Sequence, residues 1–385
     1  MENGAQEVKF EVAWKSEELF LTSRVYFSRM LEECRRATQS IDIEVYIFED
    51  DRAGNELLHV LEQAVERGVR VRILVDGIGT PNWVNKQLET LPAHGIETRV
   101  YHPVPRPFSR FWWFLFPRFW RTLRFFLSAN RRNHKKVFLI DSKVAFVGGI
   151  NVSESSLEWC DTGVRVEGEG VDLLEEAFEE NWQRGFYFGK KTLREFMRRG
   201  KRCRVLSPWI HLNSTLTLRR QRMRDLIKRF ERATDRIWVA NPYWVPGPLL
   251  IRAFIGAARR GVDVRLCYPE KTDVVFTRWV NELLLGPLIP FGVKLFVFQR
   301  GFLHAKAVIV DQWGKLGSSN LNARSIYHDL EADAVLSKNE NLEKLVEWFE
   351  GNCRGSKHIA LDELDRRPFM ERLGARFVLL FKRWI

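Results

Sequence analysis

Residues 134–141 read HKKVFLID and residues 304–311 read HAKAVIVD, so the pattern His-x-Lys-x-x-x-x-Asp occurs twice in this chain. Each copy belongs to an apolar run rich in β-branched residues, which is typical of a buried β-strand. Side chains two positions apart lie on the same face of a strand, so the His and the Lys of each copy are expected to point the same way. Two copies of one reactive pattern predict a single active site assembled from both halves of the chain.

The duplication extends upstream of this motif. RATQSI at residues 36–41 recurs as RATDRI at residues 232–237. RGVRVR at residues 67–72 recurs as RGVDVR at residues 260–265. Self-similarity on this scale indicates two copies of one structural unit.

The duplication also extends downstream. A small-residue turn with an amide side chain follows each motif, GGIN at residues 148–151 and GSSN at residues 317–320. An acidic residue, Asp161 or Glu331, then stands 27 positions after each motif histidine. The order of parts is therefore the same in both halves.

Within each half, segments with helical periodicity alternate with apolar strands. Examples are GNELLHVLEQAVERG before VRVRILVD, and GPLLIRAFIGAARRG before VDVRLCYP. Such alternation favours an α/β fold with crossover connections. We therefore predict two pseudo-symmetric lobes, each a mostly parallel sheet flanked by helices, with one shared active site. The lobes are placed at residues 1–190 and 200–360, and an amphipathic C-terminal tail follows at residues 361–385.

Composition narrows the class of protein. The five cysteines include no Cys-x-x-Cys pair, which argues against a disulfide framework or a zinc knuckle. No apolar run reaches the roughly 18–20 residues of a membrane-spanning helix, and the N-terminus lacks the pattern of a signal peptide, so we expect a cytosolic chain. The net charge of +12 and the pI near 9.6 indicate a polyanionic partner, either nucleic acid or an anionic membrane.

The first half carries an aromatic and basic insert beside its motif, at about residues 102–130. Aromatic rings favour the headgroup level of a bilayer, and arginines there reach lipid phosphates, so we predict that the insert lies in the membrane interface. The alternative is a lid or inter-lobe segment that buries its rings against protein. The C-terminal tail is either a second interfacial helix or a helix docked on a lobe. The residues expected to contact the membrane are Trp112, Trp113, Phe116, Trp120, Arg118 and Arg121.

The motif residues suit the chemistry of a phosphodiester. Lys136 and Lys306 supply cationic donors for phosphate oxygens and for the charge that grows in the transition state. Of His134 and His304, one can attack phosphorus while the other gives its proton to the leaving oxygen, and the residues alone do not decide which. The scheme requires the two histidines in different protonation states. It requires neither a metal nor a cofactor.

Other side chains are expected to support this chemistry. Asp161 and Glu331 are expected to accept a hydrogen bond from a histidine ring nitrogen and so fix its tautomer. Ser318, Asn151 and Asn320 are expected to bind phosphate or to orient the histidines.

The motif aspartates, Asp141 and Asp311, complete the catalytic pattern. Because they end their strands, we assign them a structural role in holding the turn. A metal site is the rival interpretation of the pattern, since histidine ligates metals readily. It is disfavoured because the lysine beside each histidine is a poor ligand.

The duplicated motif with its GGIN and GSSN turns resembles the phospholipase D superfamily over nearly the whole chain. YIFEDD, ILVDGIGT, FVGGIN, ANPYWVPG and GSSNLNARS are similar to bacterial cardiolipin synthases of the short type that lacks N-terminal transmembrane helices. The resemblance implies phospholipase D-like lobes and a peripheral protein on the cytoplasmic face of the cell membrane. It implies phosphatidyl transfer through a phosphohistidine, with phosphatidylglycerol as donor and acceptor and cardiolipin as product. It also implies His134 as nucleophile and His304 as general acid and base.

Two alternatives stay open on the sequence. One is a phospholipase D-type hydrolase that gives phosphatidic acid, and the other is a phosphodiesterase or nuclease of the same superfamily. Nucleic acid is not expected as a partner, because grooves for it use spaced stacking aromatics whereas this insert is contiguous. The first half has Gly149 where the second has Ser318, so the two halves are expected to be chemically unequal.

Overall fold

The computed structural model describes residues 14–80, 90–102, 131–185, 206–272 and 277–365. The aromatic insert, the join between the lobes and the C-terminal tail beyond residue 365 lie outside these ranges. The predictions of membrane contact therefore lie outside the described residues.

The first half of the chain forms a seven-stranded sheet with the strand order β1-β7-β6-β5-β2-β3-β4. Its strands are β1 (Ser16–Phe20), β2 (Ser40–Val45), β3 (Arg70–Asp76), β4 (Ile96–Tyr101), β5 (Val137–Ile140), β6 (Val144–Gly148) and β7 (Gly163–Glu167). Its helices are α1 (Ser23–Arg36), α2 (Arg52–Glu66), α3 (Glu154–Leu157) and α4 (Gly170–Arg184), with a 3-10 helix at Leu91–His94.

The second half forms an eight-stranded sheet with the order β15-β11-β10-β9-β12-β13-β14-β8. Its strands are β8 (Ile210–Leu212), β9 (Arg236–Ala240), β10 (Asp263–Pro269), β11 (Lys294–Phe298), β12 (Ala307–Val310), β13 (Trp313–Gly317), β14 (Ala332–Val335) and β15 (Ser356–Ile359). Its helices are α5 (Leu216–Arg232), α6 (Pro248–Arg259), α7 (Thr277–Leu285), α8 (Ala323–Tyr327), α9 (Asn339–Arg354) and α10 (Leu361–Asp365), with a 3-10 helix at Gly286–Phe291.

The predicted α/β class with two lobes is confirmed, but the sheets are mixed and not mostly parallel. In the first sheet β3 pairs in parallel with β2 and β4, and in the second β10 pairs in parallel with β9 and β11. The strands inside the motifs are antiparallel to their neighbours: β5 pairs with β2 and β6, and β12 pairs with β9 and β13. A short turn joins β5 to β6 and β12 to β13, and a turn of that length cannot make the crossover that parallel pairing requires.

The repeated RGV segments end helices in the same way in both lobes. Helix α2 begins after Asp51, whose side chain accepts a hydrogen bond from the amide of Gly54, and it buries Leu57, Leu61 and Ala64 along one face. It ends before Gly68, whose φ of 86° is in the left-handed region that favours glycine. The matching residue after α6, Gly261, has a φ of 89°, so the chain turns in the same way at both glycines, into β3 and into β10.

The two sheets share one hydrophobic cluster, which fixes the lobes against each other. It includes Leu74 and Val147 from the first lobe and Trp238 and Leu316 from the second, all nearly inaccessible to solvent. Strand β1 of the first lobe also contacts the second lobe, since the carboxylate of Glu17 accepts hydrogen bonds from the amide and hydroxyl of Ser337. The junction is therefore a packed core, and groups placed on either side of it hold a fixed geometry.

Among the described residues, none of the helices is both long and apolar enough to span a bilayer.

Candidate active site

The histidine and the lysine of each motif lie between the lobes, just before the strand of that motif begins, and not within the strand as the sequence predicted. Strands β5 and β12 begin one residue after Lys136 and Lys306. The amide of His134 donates to the carbonyl of Leu330 at 2.9 Å, and the amide of His304 donates to the carbonyl of Cys160 at 2.9 Å. Each histidine is therefore held by the backbone of the opposite lobe.

These backbone contacts bring each downstream acid to the histidine of the other lobe. Oδ2 of Asp161 lies 2.5 Å from Nδ1 of His304, and Oε2 of Glu331 lies 3.1 Å from Nδ1 of His134. Leu330 and Cys160 immediately precede these acids, so the bridge that positions the histidine also positions its carboxylate. The equal spacing of 27 in sequence indicated two pairs, but it did not indicate that they would be exchanged between lobes.

The two motif lysines are buried beside the histidines. Nζ of Lys136 donates to the carbonyl of His134 at 2.7 Å and lies 5.2 Å from the centre of the Tyr46 ring. Nζ of Lys306 lies 2.8 Å from both ring nitrogens of His304. Burial, and then the charge of Lys306, lowers the pKa of Lys136 to about 7. The two ammonium groups therefore repel each other across a common space, which is a favourable place for an anion.

Electrostatics makes both rings neutral and both acids ionised. Burial, followed by the charge of Lys306, lowers the pKa of His304 to about 4 despite the opposing charge of Asp161. Burial likewise lowers the pKa of His134 against the charge of Glu331. Burial acts against the charge of each carboxylate, but the neighbouring cations and hydrogen bonds hold the pKa of Asp161 and of Glu331 below the ordinary value.

Aromatic rings surround the histidines unequally. Trp159, Phe302 and Tyr243 have ring centres 4.7, 5.4 and 6.5 Å from that of His304. The ring of Tyr46 lies 5.0 Å from that of His134. The sequence analysis did not single out these rings, although Tyr46 and Tyr243 stand in the YIFEDD and ANPYWVPG segments that carry the family resemblance. Their neighbourhood excludes water and so strengthens polar contacts within the site.

The turns after the motif strands differ where the sequences differ. A Cβ atom on Gly149 would lie 2.4 Å from Oδ1 of Asp161, so this position has no room for a side chain. At the matching position, Ser318 accepts a hydrogen bond from the amide of Ala332 at 3.0 Å, and its own carbonyl lies 3.2 Å from Nδ1 of His134. The two halves therefore differ in what lies beside each acid: Gly149 packs closely against Asp161, whereas Ser318 is hydrogen-bonded next to Glu331.

The two motif asparagines are both buried but differ in their contacts. Oδ1 of Asn151 accepts a hydrogen bond from the amide of Ile47 at 3.3 Å. Oδ1 of Asn320 is buried and has no hydrogen-bond partner among the residues that the structure describes. The first asparagine thus secures a loop of its own lobe, and a role for either amide at phosphate stays a prediction.

The motif aspartates lie away from the histidines and serve the fold. Asp141 accepts hydrogen bonds from the amides of Thr38, Gln39 and Ser40 at 2.7 to 3.1 Å. Asp311 accepts equivalent bonds from residues 234–236. These amides belong to the repeated RAT segments, so the aspartates hold the turn that leads into β2 and β9. These contacts agree with the structural role assigned to the aspartates, and their grouping with the catalytic residues stays a prediction.

A buried polar network that the sequence analysis missed supports the first motif from behind. Glu44 on β2 accepts hydrogen bonds from Nδ2 of Asn133 at 2.7 Å and Nδ2 of Asn181 at 2.6 Å, and Nζ of Lys135 lies 3.4 Å away. Asn133 and Lys135 alternate along the chain with the motif histidine and lysine, so they point to the opposite side. Within the described ranges, no group of three or more His, Cys, Asp or Glu side chains is placed to hold a metal ion.

The arrangement can bind a phosphodiester between two neutral imidazoles and two ammonium groups. Each carboxylate engages Nδ1, so Nε2 is the nitrogen of each ring that is left for chemistry, and in His304 it also lies 2.8 Å from Nζ of Lys306. One ring can then act as a nucleophile and the other as an acid and base, with the lysines neutralising the phosphate.

Comparison with known proteins identifies a family that the chain resembles over most of its length. The family model described as "Cardiolipin synthase, PLD-like domain" matches residues 30–182 and 226–352. The chain is 30% identical to the cardiolipin synthase of Geobacillus kaustophilus strain HTA426 over 367 residues, covering 90% of this chain and 68% of that protein. It is 26% identical to the cardiolipin synthase of Clostridium perfringens strain SM101 over 380 residues, covering 94% of this chain and 75% of that protein.

Solved structures show the same fold. The phosphatidylserine synthase of Haemophilus influenzae Rd KW20 superposes with a TM-score of 0.71 at 15% identity, over 97% of this chain and 95% of that chain. The polyphosphate kinase of Porphyromonas gingivalis superposes with a TM-score of 0.55 at 12% identity, over 96% of this chain and 56% of that one. At these identities the likeness concerns the fold alone.

Proposed function

We propose that this chain, which belongs to the cardiolipin synthase family of phospholipase D-like enzymes, makes cardiolipin from two phosphatidylglycerol molecules. Membership of the family makes it a phosphatidyltransferase. The observation that carries the finer proposal is the exchanged pairing of His134 with Glu331 and of His304 with Asp161. This pairing supports a site in which two imidazoles, one from each lobe, act on the same substrate.

In the first step, Nε2 of His134 attacks the phosphorus atom of one phosphatidylglycerol. The bond from phosphorus to the glycerol headgroup oxygen breaks, and that oxygen takes a proton from Nε2 of His304. Glycerol leaves, and the phosphatidyl group stays on His134 as a phosphohistidine.

In the second step, the terminal hydroxyl of a second phosphatidylglycerol gives its proton to His304. Its oxygen attacks phosphorus, and the bond from phosphorus to His134 breaks. Cardiolipin leaves, and His304 again carries the proton with which the cycle began, so the reaction is balanced without a cofactor.

The lysines are proposed to do the work that a metal ion does in other phosphoryl transfer enzymes. Lys136 and Lys306 neutralise the nonbridging oxygens of the phosphate and the charge that develops on them. Burial, and then the charge of Lys306, lowers the pKa of His304 to about 4, and a bound phosphodiester offsets that charge. Substrate binding is therefore expected to raise this pKa and to let His304 hold the proton that the leaving oxygen needs.

Transfer of the phosphatidyl group to a lipid alcohol in preference to water requires that the entrance to the site be lined by apolar side chains. The rings of Trp159, Phe302 and Tyr243 around His304 supply part of this lining. We propose that the aromatic insert supplies the rest and that the chain acts as a peripheral protein at the cytoplasmic face of an anionic membrane. The net charge of +12 favours such a surface.

The test is incubation of the chain with labelled phosphatidylglycerol vesicles in the presence of a chelator, followed by acid-free trapping of phosphoprotein and mass analysis of the lipids. The expected result is cardiolipin together with free glycerol, and a labelled phosphohistidine that is lost in His134→Asn and accumulates less in His304→Asn. Phosphatidic acid in place of cardiolipin would select hydrolysis. Absence of both lipids together with cleavage of DNA would select a nuclease and contradict the proposal.

A further inference from the structure

A second cationic cavity lies behind the Glu331 side of the active site, between α5 and the edge of the second sheet. Its volume is about 70 Å³. A single water needs roughly 10–15 Å³ of such volume, so the cavity has room for a group about the size of a phosphate. Asn320 and Asn213 form part of its wall, and Oδ1 of Asn213 accepts a hydrogen bond from the amide of Glu331 at 2.7 Å. The cavity thus adjoins the catalytic centre, but its lining includes neither motif histidine nor motif lysine.

Four cationic side chains line this cavity against two carboxylates. Arg219, Arg222 and Arg229 stand three and seven positions apart on α5, so they share one face of the helix, and Lys315 faces them from β13. Asp333, one of the two acids, already pairs with Lys315 at 2.5 Å. Among the described residues, the lining of the cavity therefore carries more cationic than anionic side chains.

Arg219 provides the most direct argument for an anionic ligand. It is 6% exposed, and its Nη2 donates to the backbone carbonyls of His328 and Asp329 at 3.1 and 2.8 Å. Its Nη1 is buried and has no acceptor among the described residues. A buried charged donor without an acceptor is costly, and a bound anion removes that cost.

The titration of neighbouring groups agrees with a positive potential in the cavity. Burial, and then the charge of Arg131, lowers the pKa of Arg219 to about 10. Burial, and then the charges of Arg222, Lys315 and Arg229, lowers the pKa of His211 well below its ordinary value. His211 lines the cavity and is therefore a neutral partner for a ligand at neutral pH.

The exposure of the three arginines shows how a ligand would enter. Arg229 is exposed, Arg222 is half-buried and Arg219 is buried, so the cavity runs inward along α5. The guanidinium of Arg229 lies 4.3 Å from the ring centre of Trp313, which holds it at the mouth.

We propose that this cavity binds the phosphate group of a phosphate monoester or diester, at a subsite separate from the catalytic centre. Guanidinium groups match the oxygens of a phosphate in geometry as well as charge, and three of them on one helix face can engage it from one side. The proposal goes beyond the transfer reaction and does not depend on it, because binding is measured without turnover.

The experiment measures binding of labelled inorganic phosphate to the full chain by equilibrium dialysis. Every protein carries Lys136→Met, which weakens phosphate binding at the catalytic centre. The test variant adds Arg222→Gln and Arg229→Gln. The matched control adds Arg224→Gln and Lys228→Gln, which remove the same charge from exposed positions of α5 outside the cavity lining.

The test variant is expected to bind phosphate about tenfold more weakly or worse, and the control to change by less than about twofold. Equal affinities in the test variant and its parent would overturn the proposal, and so would an equal loss in the control, because long-range charge would then explain the binding. If the double substitution unfolds the chain, as shown by its thermal transition, the exposed Arg229→Gln alone is compared with Lys228→Gln.

The source of the phosphate is decided by competition. Vesicles of phosphatidylglycerol that displace the labelled phosphate, where phosphatidylcholine vesicles do not, would identify a lipid headgroup as the ligand. Phosphate that stays bound in the presence of both vesicles would identify a soluble phosphate compound. A failure of cardiolipin synthesis would leave both results unchanged, so the two proposals fail separately.

Discussion

The carboxylate of Asp161 lies 2.5 Å from Nδ1 of His304, although the two residues belong to different lobes and stand 143 positions apart. The reverse pair, Glu331 and His134, crosses the same junction at 3.1 Å. Each lobe therefore orients the histidine of the other. Neither lobe by itself contains a motif histidine together with the carboxylate that orients it, which gives a physical reason for keeping both copies of the motif in one chain.

The exchanged pairs predict which substitutions share a phenotype. Asp161→Asn is expected to lower kcat for phosphatidylglycerol by about 10³ to 10⁴-fold, because His304 loses the partner that fixes its tautomer. With an activated diester whose leaving group needs no proton, Asp161→Asn and His304→Ala should both regain most of the first step. His134→Ala should regain none of it.

Burst kinetics with a nitrophenyl diester measure this first step directly. Glu331→Gln serves as the counterpart, since it is expected to impair His134 with both kinds of substrate. A loss in Asp161→Asn that does not depend on the leaving group would contradict the assignment of His304 as the acid.

Gly149 and Ser318 occupy matching positions in the turns of the two lobes, and substitutions at these positions are expected to lower kcat by different amounts. Gly149→Ser places a Cβ atom 2.4 Å from Oδ1 of Asp161, so the carboxylate must move away from His304. A displacement of the carboxylate by about 1 Å is expected to lower kcat about 10²-fold. Gly149→Ala should lose as much, because the Cβ atom alone causes the conflict.

Ser318→Gly is the matched substitution in the other lobe. It removes the hydrogen bond from the amide of Ala332 but introduces no clash, so its kcat should fall by less than about tenfold. Equal losses in the two lobes, measured as kcat with folding checked by thermal denaturation, would show that the close approach of Gly149 to Asp161 does not matter.

Substrate affinity is expected to weaken as the pH rises through neutrality. The pKa of Lys136 is lowered to about 7, so in the empty site this ammonium is charged below that pH and neutral above it. An anionic substrate prefers the charged form, and KM should therefore rise above pH 7. Lys136→Met should raise KM at acid pH and abolish this inflection. An identical inflection in wild type and variant would assign it to another group.

The motif aspartates should matter for stability more than for chemistry. Asp141→Asn keeps the backbone preference of a residue with a φ of 53° but removes the charge that receives several amide hydrogen bonds. The free energy of unfolding is expected to fall by about 1–2 kcal/mol, with kcat of the folded protein nearly unchanged. Asp311→Asn should behave alike.

The sign of the pH dependence follows from the pKa of Asp141, which the backbone amides lower below its ordinary value in spite of burial. A lowered pKa in the folded state stabilises the protein above the pKa of the unfolded chain, and this contribution disappears as the pH falls. The difference in stability between wild type and Asp141→Asn should therefore shrink in acid. A large loss of kcat without a loss of stability would argue for a chemical role.

The aromatic insert lies outside the described residues, and its role is a prediction from composition. Replacement of Trp112, Trp113, Phe116 and Trp120 by serine is expected to lower both binding to anionic vesicles and phosphatidyl transfer. Cleavage of a soluble diester should survive, because the motif residues are untouched. Vesicle sedimentation and the two activity assays measure these effects. Equal loss of both activities would indicate that the rings pack against the protein.

The repeat made most of the fold predictable. The periodicity of GNELLHVLEQAVERG and GPLLIRAFIGAARRG gave helices α2 and α6 at the expected places, and the apolar runs after them gave β3 and β10. The parallel arrangement failed for β5 and β12, because pairing direction depends on where a strand meets its neighbours. The apolar content of a strand does not determine its pairing direction. The short turns after β5 and β12 impose antiparallel pairing with the strands that follow them.

The sequence alone determined the identity of the reactive groups, since a doubled His-x-Lys-x-x-x-x-Asp with matching turns and acids occurs in it whatever the fold. It also determined the local structure, because helical and strand periodicities arise from neighbours along the chain. The tertiary structure decided that Asp161 orients His304 and Glu331 orients His134, and that Arg219 lines a second cationic cavity. Those contacts join residues more than a hundred positions apart. The packing of the two lobes against one core brings each histidine to its carboxylate, and the folding of the second lobe brings Arg219 to Asp329.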